Sequence, residues 1–158
     1  MIQFMPQNHE MLYERAIKLC PEVAHLKSIS GEPLQYFSVD DGRNLLGFSI
    51  FEFISPQVAV FHTLFVTPQE RGNQFGDGLF RATLNGIEIR GGAHVIFLNA
   101  DALNRFYDRE GIPTGSGEDL TRSGVPTTML HTLENQRFHY LQDIAEFFSK
   151  PCKGHVKK

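Results

Sequence analysis

Cysteine is scarce in this chain: two among 158 residues, Cys20 and Cys152. One ends an expected helix and the other sits in the last stretch. Neither belongs to a metal-ligand spacing and two make no disulfide framework, so the usage points to a reducing compartment and a cytoplasmic protein without a metal. Long hydrophobic runs are missing too. No apolar stretch reaches bilayer length, and MIQFMPQNHE has neither the basic flank nor the apolar run of a signal peptide, so no membrane segment is expected. Excess positive charge is also lacking. A net charge of -3 leaves no overall basic field for nucleic acid or an anionic membrane surface. The one basic cluster, Lys150 to Lys158, reads as a solvated tail. Repeats, low-complexity segments and linkers are absent, so residues 1–150 are expected to form a single domain with one substantial core, followed by the tail at 151–158.

Alternating helical and strand patterns fill that length. A strand at Ile2–Met5 precedes a helix with Asn8 as N-cap and Leu12, Ala16 and Leu19 along one face, stopped by Pro21. A further helical turn at Glu22–Leu26 and a polar loop at Ser28–Pro33 lead to two strands, Leu34–Val39 and Leu45–Ile54, joined as a hairpin through Asp40–Asn44. Ser55-Pro56 breaks the chain before Val58–Val66, a nearly unbroken apolar run that suits a strand covered on both faces. A helix is expected after Gly72, with Phe75, Leu79, Ala82 and Ile87 as its apolar stripe and Gly91-Gly92 as its stop; Ala93–Leu98 is the next buried strand. Strand, turn, helix and strand make a parallel βαβ unit. Beyond a short helix carrying Tyr107, a late hairpin ending in a strand near Thr127–Leu133 and a final helix over Glu134–Phe148, with Phe138, Leu141, Ile144 and Phe148 at helical intervals, complete the reading.

The turn at Arg71 to Gly78 has the chemistry of a pyrophosphate cradle. The first turn of a helix offers unpaired backbone N–H groups and the positive end of the helix dipole. Gly72, Gly76 and Gly78 allow close approach to the backbone, and Arg71 adds a charge-assisted donor. No Gly-Lys-Ser/Thr follows, which excludes a Walker loop, and the glycine spacing does not match a dinucleotide fingerprint. The run Leu64-Phe65-Val66-Thr67-Pro68-x-x-Arg71-Gly72 with Gly76, Gly78 and Leu79, together with Phe106-Tyr107-Asp108-Arg109-Glu110-Gly111-Ile112, resembles the GNAT superfamily of acyl-CoA-dependent N-acyltransferases. Its cofactor loop reads Arg/Gln-x-x-Gly-x-Gly/Ala and its later helix reads Phe-Tyr-x-x-x-Gly-Phe. One position departs: the loop's usual first glycine falls at Gln74. A shorter likeness, Gly117-x-x-Leu120 with Gly124-Val125-Pro126-x-x-Met129, is similar to a subgroup of small bacterial members, with Thr127 in place of a histidine.

The resemblance implies a mixed α/β fold with a mostly antiparallel sheet splayed at a parallel strand pair, between the strand ends at Val66 and Leu98, with helices on both faces. It implies acetyl-CoA as co-substrate, the backbone of Leu64, Phe65 and Val66 for the pantetheine arm, and that of Arg71, Gly72, Asn73, Gln74, Phe75, Gly76 and Asp77 for the phosphates. Acetyl transfer to an amine poses two proton problems, an amine that is protonated near neutral pH and a thiolate that needs a proton. Tyr107 is the expected acid, by the family position facing the thioester sulfur. His62, in the central strand where some members carry His or Glu, is the expected base, with Glu52 and water as alternatives. Asn99 stands near the position where relatives use an Asn on the pantetheine amide, Ala100 occupying the usual spacing. No cysteine with a paired base supports an acyl-enzyme, so direct attack of the amine in a ternary complex is expected. The acceptor is a small-molecule or peptide amine of unstated identity, a homodimer is possible, and an inactive acyl-CoA-binding module is the rival reading.

Overall fold

The computed structural model describes residues 1–72 and 74–150. Asn73, Cys152 and the basic tail past Lys150 lie outside the described residues. Six strands, β1 (Gln3–Gln7), β2 (Gln35–Asp40), β3 (Leu45–Ser55), β4 (Val58–Val66), β5 (His94–Phe97) and β6 (His139–Leu141), form one sheet in chain order. It is a mixed sheet with one parallel pair, and β1/β2, β2/β3 and β5/β6 run antiparallel. The helices are α1 (His9–Leu19), α2 (Phe75–Ile89), α3 (Ala100–Arg109), α4 (Gly117–Arg122), α5 (Thr127–Glu134) and α6 (Ile144–Ser149). The chain packs as two compact units, one from Met1–Glu52 with Phe61–Gly86, the other from Phe53–Val60 with the residues from Ile87 onward.

In the first unit, Asn8 caps α1 by accepting from the Met11 N–H at 2.8 Å, and the helix turns Leu12 and Ala16 onto Val23, Leu34, Tyr36, Leu45, Phe48 and Ile50. The β2–β3 hairpin closes as expected: Asp40 and Asp41 side chains accept from the N–H groups of Gly42, Arg43 and Asn44. The buried stripe of α2 differs from the expected one. Leu79, Phe80, Thr83, Leu84 and Ile87 are buried, whereas Phe75 and Ala82 are only half-buried. Thr83 enters the stripe because its hydroxyl is satisfied twice, by the Leu79 carbonyl and by Ser49 Oγ, both at 2.7 Å.

The second unit corrects two expectations. Residues 127–134 are helix, not a hairpin strand. Pro126 stands at the N-cap and its carbonyl accepts from Met129 at 2.9 Å, so the proline starts a helix and the Thr127-Thr128 pair occupies its first turn. The expected final helix is interrupted. Phe138, His139, Tyr140 and Leu141 are consecutively buried, a strand pattern, and β6 pairs with β5 through Val95↔Leu141, Ile96↔Tyr140 and Phe97↔His139. Its other edge takes Tyr140 N–H to the Pro113 carbonyl at 2.8 Å and Gly115 N–H to the Phe138 carbonyl at 2.9 Å. Helix resumes only at α6, capped by Asp143. Apolar residues three or four apart suit either structure here; the neighbouring strand edge decided for the sheet.

Candidate active site

The end of β4 meets the start of α2 in a tight, braced turn within the first unit. Side chains of Leu64 and Val66 are buried, while Phe65 stacks on Phe48 with ring centres 5.5 Å apart. β3 passes closely here: a Cβ on Gly47 would lie 2.6 Å from the Phe65 carbonyl oxygen, so only glycine lets the strands meet at this point. Thr67 N–H then bonds to the Leu46 carbonyl at 2.8 Å. Arg71 folds back over this strand end. Its Nε donates to the Val66 carbonyl at 2.8 Å, and its guanidinium carbon sits 5.4 Å from the Phe65 ring centre. One carbonyl of the strand expected to pair with a pantetheine arm therefore already holds a partner.

Gly72 has φ +98° and Gln74 has φ 65°. Both occupy the left-handed region, which glycine enters freely and which carries a steric cost for Gln74. The Gly78 N–H bonds to the Gln74 carbonyl at 3.1 Å, which leaves Phe75, Gly76 and Asp77 in the first turn of α2, where N–H groups have no intrahelical acceptor. Asp77 pairs with Arg81 at 3.2 Å. Gly78, expected from the sequence to let a ligand approach, serves packing instead. A Cβ there would lie 2.8 Å from Cζ of Phe4, so it makes room for an aromatic ring of β1.

His62 and Glu52 are brought together from β4 and β3. His62 Nε2 lies 2.6 Å from Glu52 Oε2, with the side chains 4% and 1% exposed. The carboxylate also accepts from the Ile29 N–H at 2.8 Å, the Ser30 N–H at 3.0 Å, and the hydroxyls of Ser28 at 2.9 Å and Ser30 at 2.7 Å. Burial pushes the Glu52 carboxyl up, but the bonds from His62, Ile29 and Ser30 outweigh it and hold the group at about 2. Glu52 is thus held as a carboxylate, hydrogen-bonded to His62. The polar loop at Ser28–Pro33 carried no motif, and the sequence offered no sign that its amides close on Glu52.

In the second unit, Tyr107 is fully buried on α3. Its ring packs on Phe97 at 4.9 Å, Phe106 at 6.0 Å and His139 at 5.2 Å between centres, and burial raises its phenol above the ordinary range. His139 is the residue that sequence reasoning missed. Its Nε2 lies 2.9 Å from Asp108 Oδ1, but the helical misreading of residues 134–148 concealed that it faces Tyr107. Asn99 has φ 60° and stands at the N-cap of α3, its carbonyl accepting from Ala102 at 3.2 Å and Leu103 at 3.1 Å. Among the described residues no helix is long and apolar enough to cross a membrane, and no group of three or more His, Cys, Asp or Glu is placed to hold a metal.

No protein-family model matches this chain, and no curated protein does. Solved structures do. The chain is 17% identical to an N-acetylglutamate synthase from Neisseria gonorrhoeae complexed with coenzyme A and N-acetyl-glutamate, over 89% of this chain and 34% of that one, with a TM-score of 0.66. The same synthase with coenzyme A and L-arginine gives 16% identity, 89% and 33% coverage, and a TM-score of 0.69. An acetyltransferase of the GNAT family from Staphylococcus aureus is 16% identical over 91% of this chain and 99% of its own, with a TM-score of 0.64. The chain spans about a third of the length of the synthase chains and nearly all of the staphylococcal one.

Proposed function

We propose, for a chain with the fold of the GNAT-family acetyltransferases, an N-acetyltransferase in which residues 1–150 act as one catalytic domain and move an acetyl group from acetyl-CoA to a primary amine by direct attack. The observation that carries this reading is the Gln74 backbone. At φ 65° it takes the left-handed backbone that glycine favours, which supports a glycine-like turn at the position where the sequence departs from the resembled loop. Backbone groups of Leu64 to Val66 hold the pantetheine arm and polarise the thioester carbonyl, with Arg71 moving part of its charge to the phosphates. Arg71 to Asp77 supply the amides, and Asn99 shapes the start of α3.

The two proton problems are divided. His62, fixed by Glu52, takes the first proton from the ammonium form of the acceptor, since only the neutral amine has a lone pair for attack. Tyr107 supplies the proton for the departing thiolate; a phenol kept neutral by burial always has one to give. The acceptor is a small amine, in keeping with the amino-acid ligands of the synthase complexes.

Titration calorimetry with acetyl-CoA and thiol release over a panel of amines test the reading. Saturable binding and turnover on at least one amine are expected, with His62→Ala lowering turnover about a hundredfold near neutral pH. Failure of acetyl-CoA to bind refutes the function. Binding without turnover on any amine replaces it with a CoA-binding module, and an unchanged His62→Ala rate removes His62 alone.

A further inference from the structure

Arg71 holds an acceptor on the side of β4 that faces away from β3. Thr67 N–H donates to the Leu46 carbonyl of β3 at 2.8 Å, and no described peptide bond is cis. The Val66 carbonyl, at the other end of the same trans peptide plane, therefore points the opposite way. Arg71 Nε donates to this carbonyl at 2.8 Å. The guanidinium carbon lies 5.4 Å from the centre of the Phe65 ring, which is itself stacked on Phe48, so a hydrogen bond and a cation–π contact together hold the side chain. An outward carbonyl at a strand end is the main-chain acceptor that an extended, amide-bearing ligand takes when it pairs with the strand. Arg71 thus stands on the acceptor that the arm of the acyl donor needs, a few residues before the Phe75, Gly76 and Asp77 amides assigned above to the phosphates.

We propose that Arg71 is a specificity-determining residue that guards the Val66 carbonyl and yields it to acyl donors that carry phosphate; this rests on the acetyltransferase reading above, with the arm along Leu64 to Val66. A phosphate offers the guanidinium full opposite charge and two parallel bonds, whereas the Val66 carbonyl offers one oxygen with a partial charge. A phosphate-bearing donor therefore draws Arg71 off Val66 as it binds, and the released carbonyl accepts an amide N–H of the arm. An acyl-pantetheine without phosphate gives the guanidinium no better partner. Such a donor either breaks the bond from Arg71 to Val66 without replacing it or forgoes the carbonyl, and its affinity falls in both cases. The coupling is reciprocal, so the phosphates tighten the arm by the same factor as the arm tightens the phosphates. One side chain thereby links the two ends of the donor and rejects acyl groups carried on pantetheine alone.

The test compares S-acetyl-pantetheine with acetyl-CoA by titration calorimetry on the full chain, in the unaltered protein and in Arg71→Gln and Arg71→Met. Both replacements are uncharged and reach as far along the side chain as Nε; glutamine ends there in an N–H donor and methionine in a methyl group. Acetyl-CoA is expected to bind both variants about tenfold more weakly than the unaltered protein. S-acetyl-pantetheine should bind Arg71→Met about fivefold more tightly than the unaltered protein or Arg71→Gln, in which the carbonyl stays held. Arg71→Ala bares the carbonyl as well and carries the test if Arg71→Met does not fold. Weaker binding of both ligands by Arg71→Met makes Arg71 a plain brace of the turn. Equal S-acetyl-pantetheine affinity in Arg71→Met and Arg71→Gln, measurable or not, means that the arm uses the second lone pair of the carbonyl or does not use the carbonyl. Either result overturns the guard and leaves acetyl-CoA binding standing. Failure of the unaltered protein to bind acetyl-CoA overturns the guard and the acetyltransferase reading together.

Discussion

Replacing Glu52 with Gln should destabilise the protein by about 3 kcal/mol, because no orientation of an amide satisfies the donors that converge on the carboxylate. Oε1 accepts from the Ser28 hydroxyl and from the Ser30 N–H and hydroxyl, and Oε2 accepts from the Ile29 N–H beside His62 Nε2. An amide oxygen placed at the first position sets an NH2 group against Ile29 N–H; reversed, it sets that group against Ser30 N–H. The hydroxyls and His62 can adjust by rotating or changing tautomer, but a backbone N–H cannot. Either orientation therefore leaves one amide facing a donor at a site 1% exposed, costing about 1–3 kcal/mol, and the remaining bonds lose their charge assistance. The depressed carboxyl sets a second scale. A folded value of about 2 against an ordinary 4.5 corresponds to about 3 kcal/mol. Since the folded value is the lower one, this stability is fully present above pH 4.5 and is lost as pH falls toward 2. Urea unfolding followed by circular dichroism, at pH 7 and at steps down to pH 3, reads both effects. Glu52→Gln should move the midpoint at unchanged slope and flatten the acid dependence. A loss under 1 kcal/mol at pH 7 with the acid dependence intact would refute the reasoning.

Two further substitutions probe the turn at the end of β4. Gln74→Gly should stabilise by about 0.5–1 kcal/mol, relief of left-handed strain exceeding the added freedom of the unfolded chain, with acetyl-CoA affinity kept; a destabilised variant in urea titration contradicts the strain assignment. Gly47→Ala should cost about 2 kcal/mol or more and weaken acetyl-CoA binding, because its Cβ would meet the Phe65 carbonyl at 2.6 Å and displace the end of β4. An unchanged melting profile and Kd would show that the strands can separate there without consequence.

Local chemistry was legible wherever one segment sufficed. The Asn8 cap, the Asp40–Asn44 hairpin and the buried run of β4 each follow from residues next to one another, and the structure has all three. The turn from Val66 to α2 was legible for the same reason. The reading failed where two arrangements share one pattern. Phe138, Leu141, Ile144 and Phe148 satisfy helical spacing, yet pairing with β5 on one side and with residues 113–115 on the other makes 139–141 a strand. Gly78 looked like a ligand glycine because nothing nearby in sequence revealed Phe4 above it.

The same division runs through the candidate site. From sequence alone came the likeness to acyltransferase motifs and the candidates Tyr107, His62 and the Arg71–Gly78 turn, since each depends on short-range spacing and on the chemistry of single residue types. Only the tertiary structure decided which groups meet. It paired His62 with Glu52 and closed Ser28–Ser30 over that carboxylate, and it set His139 beside Tyr107 and against Asp108. These partners lie 10 to 32 residues apart along the chain, so they are specified by strand register and burial, and a buried charge or imidazole takes its role from what surrounds it.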